Sequence, residues 1–302
     1  MKRISVMIAA CLVSTTLLAQ TDSTRKDSSK TSQPDTIRIG GMVIIKKDSP
    51  DQNRRQTSVT IGSNRSQKHS NVSTAQFIID FGFANWNDET NYASATSQDY
   101  IVNRTSPPGR FAPLGPNDLK LRTGKSSNVN IWVFMQRLNL IKHYVNLKYG
   151  IGVELNNYRF KSDISFKEGG NVNPYSTSQN INHAFVFRDS ISFSKNKLAA
   201  DYVTVPFMIN FRTNPNYSDR GLSFSAGVSM GYLYNSRNKQ ISGERGKRKN
   251  RGDYDLEKWK FSYIGELGLG QVRLYGSYAP KSIFESGLNM MPYNVGIRLS
   301  NW

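Results

Sequence analysis

Three histidines, a single cysteine and a dense run of cations are the residues from which any chemistry would have to be built. His69, His143 and His183 have no second histidine or cysteine at metal-ligand spacing, so no metal site is expected. Cys11 lies in the apolar N-terminal stretch, so no thiol nucleophile or disulfide is expected in an exported chain. His183, Asp189 and Ser190 supply the residue types of a base, a carboxylate and a nucleophile, as in lipid A-modifying enzymes, but their spacing does not call for that use. Gly169-Gly170 precedes no helix that would make a phosphate loop, and no cofactor is expected. The reading is of a protein that is not an enzyme.

Two groups of charges remain. Residues 237–251 carry Arg237, Lys239, Arg245, Lys247, Arg248, Lys249 and Arg251 against the lone acid Glu244. Such a loop suits an anionic surface ligand, such as the phosphates of lipopolysaccharide. The second group is Asp80, Lys148, Glu154, Arg212, Glu266, Arg273 and Arg298, with Gln136 and Asn210. Each sits one position off an apolar residue inside an alternating segment. Charges placed so would face an interior, where they must pair with one another.

The elements that position them follow from that alternation. Eight segments show a period of two: 75–86, 128–140, 144–160, 201–213, 221–235, 258–269, 272–279 and 293–302. In the third, Val145, Leu147, Tyr149, Ile151, Val153 and Leu155 alternate with polar residues and glycines. In the first, Phe77, Ile79, Phe81 and Phe83 share a face, and in the second so do Val129, Ile131, Val133 and Met135. The connections 87–127, 161–200, 236–257 and 280–292 are long, and those between them are tight turns. Long loops at one end and turns at the other are the signature of an all-β, single closed antiparallel eight-stranded transmembrane β-barrel. Eight strands leave a lumen that side chains can fill. Residues 185–193 alternate weakly as well, which suggests a hairpin within the second long loop. Trp86, Tyr92, Tyr100, Trp132, Tyr158, Tyr232, Tyr234 and Trp259 are expected in aromatic girdles at the membrane interfaces.

The rest of the chain is read from composition. Lys2 and Arg3 before an apolar stretch, with small Ala19 ahead of Gln20, suggest a signal peptide over residues 1–19. Residues 20–74 have the makeup of a disordered, flexible tail, placed in the periplasm and able to meet a periplasmic or secretion-system protein. Within it, residues 35–47 are β-prone, and Gly40-Gly41 suggests a bend or hairpin; the segment is expected to be a short strand without a partner. Residues 75–302 are then the barrel. The net charge of +18 would suit nucleic acid, but the export signal points to anionic lipid and lipopolysaccharide instead. A mean hydropathy of −0.53 fits a barrel, where only alternate strand residues are apolar.

Two segments carry a family resemblance. Asp201-Tyr202-Val203-Thr204-Val205-Pro206-Phe207-Met208-Ile209-Asn210-Phe211 resembles the Tyr-x-x-x-Pro strand of the small PorT-like outer-membrane β-barrel proteins of Bacteroidota. The final segment, Tyr293-Asn294-Val295-Gly296-Ile297-Arg298-Leu299, is similar too. Trp302 departs from the pattern, being in phase with Arg298 rather than with Val295 and Ile297. The resemblance implies a cell outer-membrane barrel with a structural or interaction role. One branch implies an accessory part in transport or protein secretion. No catalytic residues carry over.

Overall fold

The computed structural model describes residues 35–39, 42–46, 57–60, 70–104, 112–176, 180–214, 221–269 and 272–299. Two compact units divide at residue 68. His69 and Trp302 fall outside the described residues, as do the signal-peptide segment and most of the tail.

In the first unit, β1 (Asp35–Ile39), β2 (Met42–Lys46) and β3 (Thr57–Thr60) form an antiparallel sheet in that order. Ile39 pairs with Met42, so the two strands form a hairpin. The expectation of an unpartnered strand is therefore corrected. The segment folds back on itself, and β3, which the tail composition concealed, completes the sheet.

The second unit opens with β4 (Val72–Asp88), followed by helix α1 (Ala95–Tyr100) and β5 (Ile101–Val102). Next come β6 (Ser127–Ile141), β7 (Val145–Arg159), β8 (Ile164–Lys167), β9 (Asn171–Val172), β10 (Asn180–Ile181) and β11 (Phe185–Arg188). The rest are β12 (Lys195–Arg212), β13 (Leu222–Ser242), β14 (Gly246–Arg251), β15 (Trp259–Leu269), β16 (Val272–Tyr278) and β17 (Met290–Leu299). Eight of these strands make a ring of antiparallel pairings: β4–β6–β7–β12–β13–β15–β16–β17 and back to β4. A tight turn joins β6 to β7. Lys142 and His143 both take positive φ, and Tyr144 N donates to Ile141 O at 2.9 Å, the geometry that suits the twist of a two-residue hairpin.

The apolar parity faces out. Phe81, Phe83, Phe207, Phe224, Phe261 and Val295 are all exposed, and together they belt the ring. A bulge interrupts the pattern where β4 meets β6. Phe77 takes φ 53°, and the β6–β7 register slips between Trp132 and Phe134. Past that point the faces swap: Met135 is fully buried with Ile78 and Trp132, and Phe134 turns outward. The expectation that Met135 shares a face with Val133, and that Gln136 points inward, is corrected for this reason. Gln136 instead donates to Thr74 on the neighbouring strand.

At the loop end the long connections make a core of their own. Tyr100, Ile101 and Leu119 from the first loop meet Phe160, Ile164 and Phe166 from the second. Tyr254 and Leu256 of the third and Ile283 and Phe284 of the fourth complete the cluster, above Trp86, Tyr158 and Tyr202 on the strand ends. Trp86 lies 4.8 Å from Tyr158, and Tyr100 lies 5.6 Å from Phe284, within the range of favourable aromatic pairing. In the second loop β8 and β11 pair antiparallel, as a hairpin would, and β5 joins them in parallel. The girdle expectation is thus corrected for Trp86, Tyr100, Trp132 and Tyr158, which are buried. Tyr232, Tyr234 and Trp259 are exposed on the outer wall.

Candidate functional site

The ring interior is polar, because the inward parity of its strands is dominated by Asn, Ser and charged residues. At its centre the Arg298 guanidinium forks onto Asp80, with Nε to Oδ1 at 2.7 Å and Nη2 to Oδ2 at 2.8 Å. A bidentate pair of this kind fixes orientation as well as charge. The remaining Arg298 Nη1 reaches Glu266, which also takes Lys148 Nζ. Trp132 Nε1 donates to Asp80 Oδ2 at 2.7 Å, and its ring lies 5.8 Å from the Arg298 guanidinium carbon.

A second knot lies nearer the loop end. Glu154 receives Lys260 Nζ, Asn156 Nδ2 at 3.0 Å and Asn294 Nδ2 at 3.1 Å. Lys260 also sits 4.6 Å above the Tyr202 ring. Between the two knots, Tyr275 donates to Asn128, which donates in turn to Asn156 at 2.8 Å. Tyr275 can lie there because Gly82 and Gly296 face it across paired strands; a Cβ on Gly82 would stand 2.5 Å from the Tyr275 hydroxyl oxygen. Three carboxylates, Asp80, Glu154 and Glu266, thus face three ion-paired cations, Lys148, Lys260 and Arg298. The space left among Asp80, Trp132, Glu154, Glu266 and Arg298 is about 30 Å³, the room of about one water molecule.

Of the interior residues read from the sequence, Asp80, Lys148, Glu154, Glu266, Arg273 and Arg298 are buried. Arg212 is only partly buried, at the turn end of β12. Arg273 donates weakly to Ser223, at 3.5 Å. Lys260 escaped the sequence reading although its parity, one off Trp259 and Phe261, marks it as inward. Trp132 escaped because it was assigned to an aromatic girdle, although its parity, one off Ile131 and Val133, also marks it as inward. Asn128, Asn156 and Asn294 carry no charge to draw attention.

The cationic run divides by parity. It forms the end of β13 and all of β14, where Arg237 pairs with Arg251, Lys239 with Lys249, and Ile241 with Lys247. Arg245 and Arg248 belong to the other side. Arg245 binds Asp189 at 3.0 Å, and both line a cavity of about 630 Å³ with Gln240, Arg188, Tyr175 and Phe187. The seven cations therefore do not form one surface, which corrects their grouping as a single loop site.

His183 and Asp189 are tied to different neighbours. His183 Nε2 meets Asp99 at 3.1 Å, while Asp189 accepts from Ser165 at 2.7 Å and from Arg245. His143 is a turn residue. Among the described residues no cluster of His, Cys, Asp and Glu could hold a metal ion.

In comparison with known proteins, residues 90–279 match the family model described as outer membrane protein beta-barrel domain. No curated protein matches the chain.

Proposed function

The chain belongs to the outer membrane protein beta-barrel domain family, and from that premise we propose that its eight-stranded ring is a closed, membrane-spanning barrel that works by surface interaction. It is neither a pore nor an enzyme in this reading. Residues 1–19 direct export, the long loops face outside the cell, and the turns face the periplasm. The exposed apolar belt supports the membrane placement, since a closed ring leaves no backbone donor free toward lipid. The observation that carries the non-pore reading is the interior, where ion-paired side chains fill the ring and the loop core lies over its end. The PorT-like assignment within the family rests on the Tyr202-x-x-x-Pro206 strand.

The test is a gel of the outer-membrane fraction, run boiled and unboiled. A folded barrel runs faster unboiled. A soluble protein, or an unshifted band, would overturn the reading.

A second reading is favoured by the sheet β1–β2–β3, whose outer strands β1 and β3 each have an open edge within that sheet. Open edges accept a further strand from a partner. The chain would then be an accessory of a transport or secretion apparatus, joined through its N-terminal unit. Deleting residues 21–68 should leave the ring heat-modifiable while removing a co-purifying partner; an unchanged set of co-purifying proteins would exclude it.

A further inference from the structure

Above the apolar belt, β7, β12, β13 and β14 continue as a four-stranded sheet, and its outward face is cationic. Directly opposed residues in antiparallel strands share a face. One row reads Arg159 on β7, Lys197 on β12, Lys239 on β13 and Lys249 on β14, each registered on the next. Lys195 and Lys247 flank this row on one side, and Arg237 and Arg251 on the other. Strands lie about 4.8 Å apart, so the row spans about 15 Å.

Like charges placed opposite each other destabilise a sheet. Little on this face relieves them. Asp201 is taken by Arg237, and among the described residues Lys195, Lys239, Lys247 and Lys249 have no ion-pair partner. Lys247 across the hairpin, helped by burial and by Lys195, holds the Lys239 ammonium below its ordinary pKa. Lysines on an edge strand can serve merely to block edge pairing, and β14 is such an edge. That role does not explain Lys197 and Lys239, which are paired on both sides.

The same face continues downward into Val153 and Leu155 on β7, Val203 on β12 and Tyr232 and Tyr234 on β13. We propose that this cation ladder binds the phosphate groups of membrane lipids whose acyl chains lie along the apolar belt below it. The ligand is thus a phosphorylated amphiphile of the surrounding leaflet rather than a soluble phosphate, because charge and apolar wall meet on one surface. The proposal deepens the membrane-embedded reading above and rests on it.

The test uses the full chain in zwitterionic micelles, with diphosphoryl lipid A, its dephosphorylated form and inorganic phosphate as probes. Bound lipid is counted by native mass spectrometry, and the thermal midpoint is read from the heat-modifiable band. Diphosphoryl lipid A should bind and raise the midpoint; the other two should not. The variant K197Q/K239Q/K249Q should bind at least about tenfold more weakly, since each basic residue near an anionic surface adds attraction. Without lipid, that variant should melt above the wild type, because like charges have been removed, which also shows that it folds. The control K120Q/K125Q/K142Q should bind as the wild type does. Equal binding by the ladder variant, or an equal shift with inorganic phosphate or dephosphorylated lipid, would overturn the proposal. Failure of the wild type itself to fold into the membrane fraction would instead overturn the reading beneath it.

Discussion

Arg298 is the residue on which the ring interior turns. It satisfies two acids, Asp80 and Glu266, that are otherwise shut away from water. Removing one partner of a buried pair leaves an uncompensated charge, at a cost of about 3–5 kcal/mol. Arg298→Met should therefore lower stability by about that amount, measured as a shift in the urea midpoint of heat modifiability. Glu154 and Lys260 allow a finer check. The double variant Glu154→Gln/Lys260→Met should lose less than the sum of the singles, because neither charge is left stranded. In the loop core, burial pushes the Tyr254 phenol up to about 12. An unfolded tyrosine ionises near pH 10, so the folded state holds the neutral form more tightly. That contribution is complete below pH 10 and is lost as the pH rises from 10 to 12. The loop core should loosen over that window, and Tyr254→Phe should flatten the loss when loop proteolysis is followed against pH.

At the scale of elements, the eight strands were legible because a half-apolar sheet writes a period of two into its sequence. Their ends were not. The extensions of β12 and β13 alternate Lys, Asn and Gln rather than apolar residues, so the strands run on where the apolar pattern stops. Faces were legible only where the backbone is regular; the bulge at Phe77 and Val133 swaps them, and nothing in the local composition announces it. The buried charges were read from parity alone; the same parity places Trp132 among them, but its ring was assigned to an interface girdle instead. The loop core was missed because aromatics near strand ends are equally suited to a membrane interface or to packing against each other. Gly287 is decisive for that core. It takes φ 80°, and a Cβ there would collide with Tyr100, which seats the fourth loop against the first. Gly287→Val adds left-handed strain of about 1–2 kcal/mol to that clash. Limited proteolysis should then cut the first and fourth loops while the ring remains heat-modifiable. Unchanged cleavage would mean that the loops are held elsewhere.

For the molecule as a whole, the ring interior is small and ion-paired, which supports the non-pore reading proposed above. In planar bilayers the reconstituted protein should conduct no ions, and Arg298→Met should not open it, since Trp132, Tyr275 and the loop core remain. A steady conductance would refute the occluded reading. The ring also has a seam, where β17 lies against β4, and the Arg298–Asp80 pair that locks it joins residues 218 positions apart. Its consequence concerns time rather than structure. The strand that completes the ring is the last of its eight in chain order, so a chain that lacks it cannot close, and an edge stays open until that strand is in place. Contacts this distant in sequence also form slowly. Loss of the final thirteen residues should therefore be far more damaging than loss of the first sixty-eight: a chain ending at residue 289 would keep seven of its eight ring strands and still have nowhere to stop.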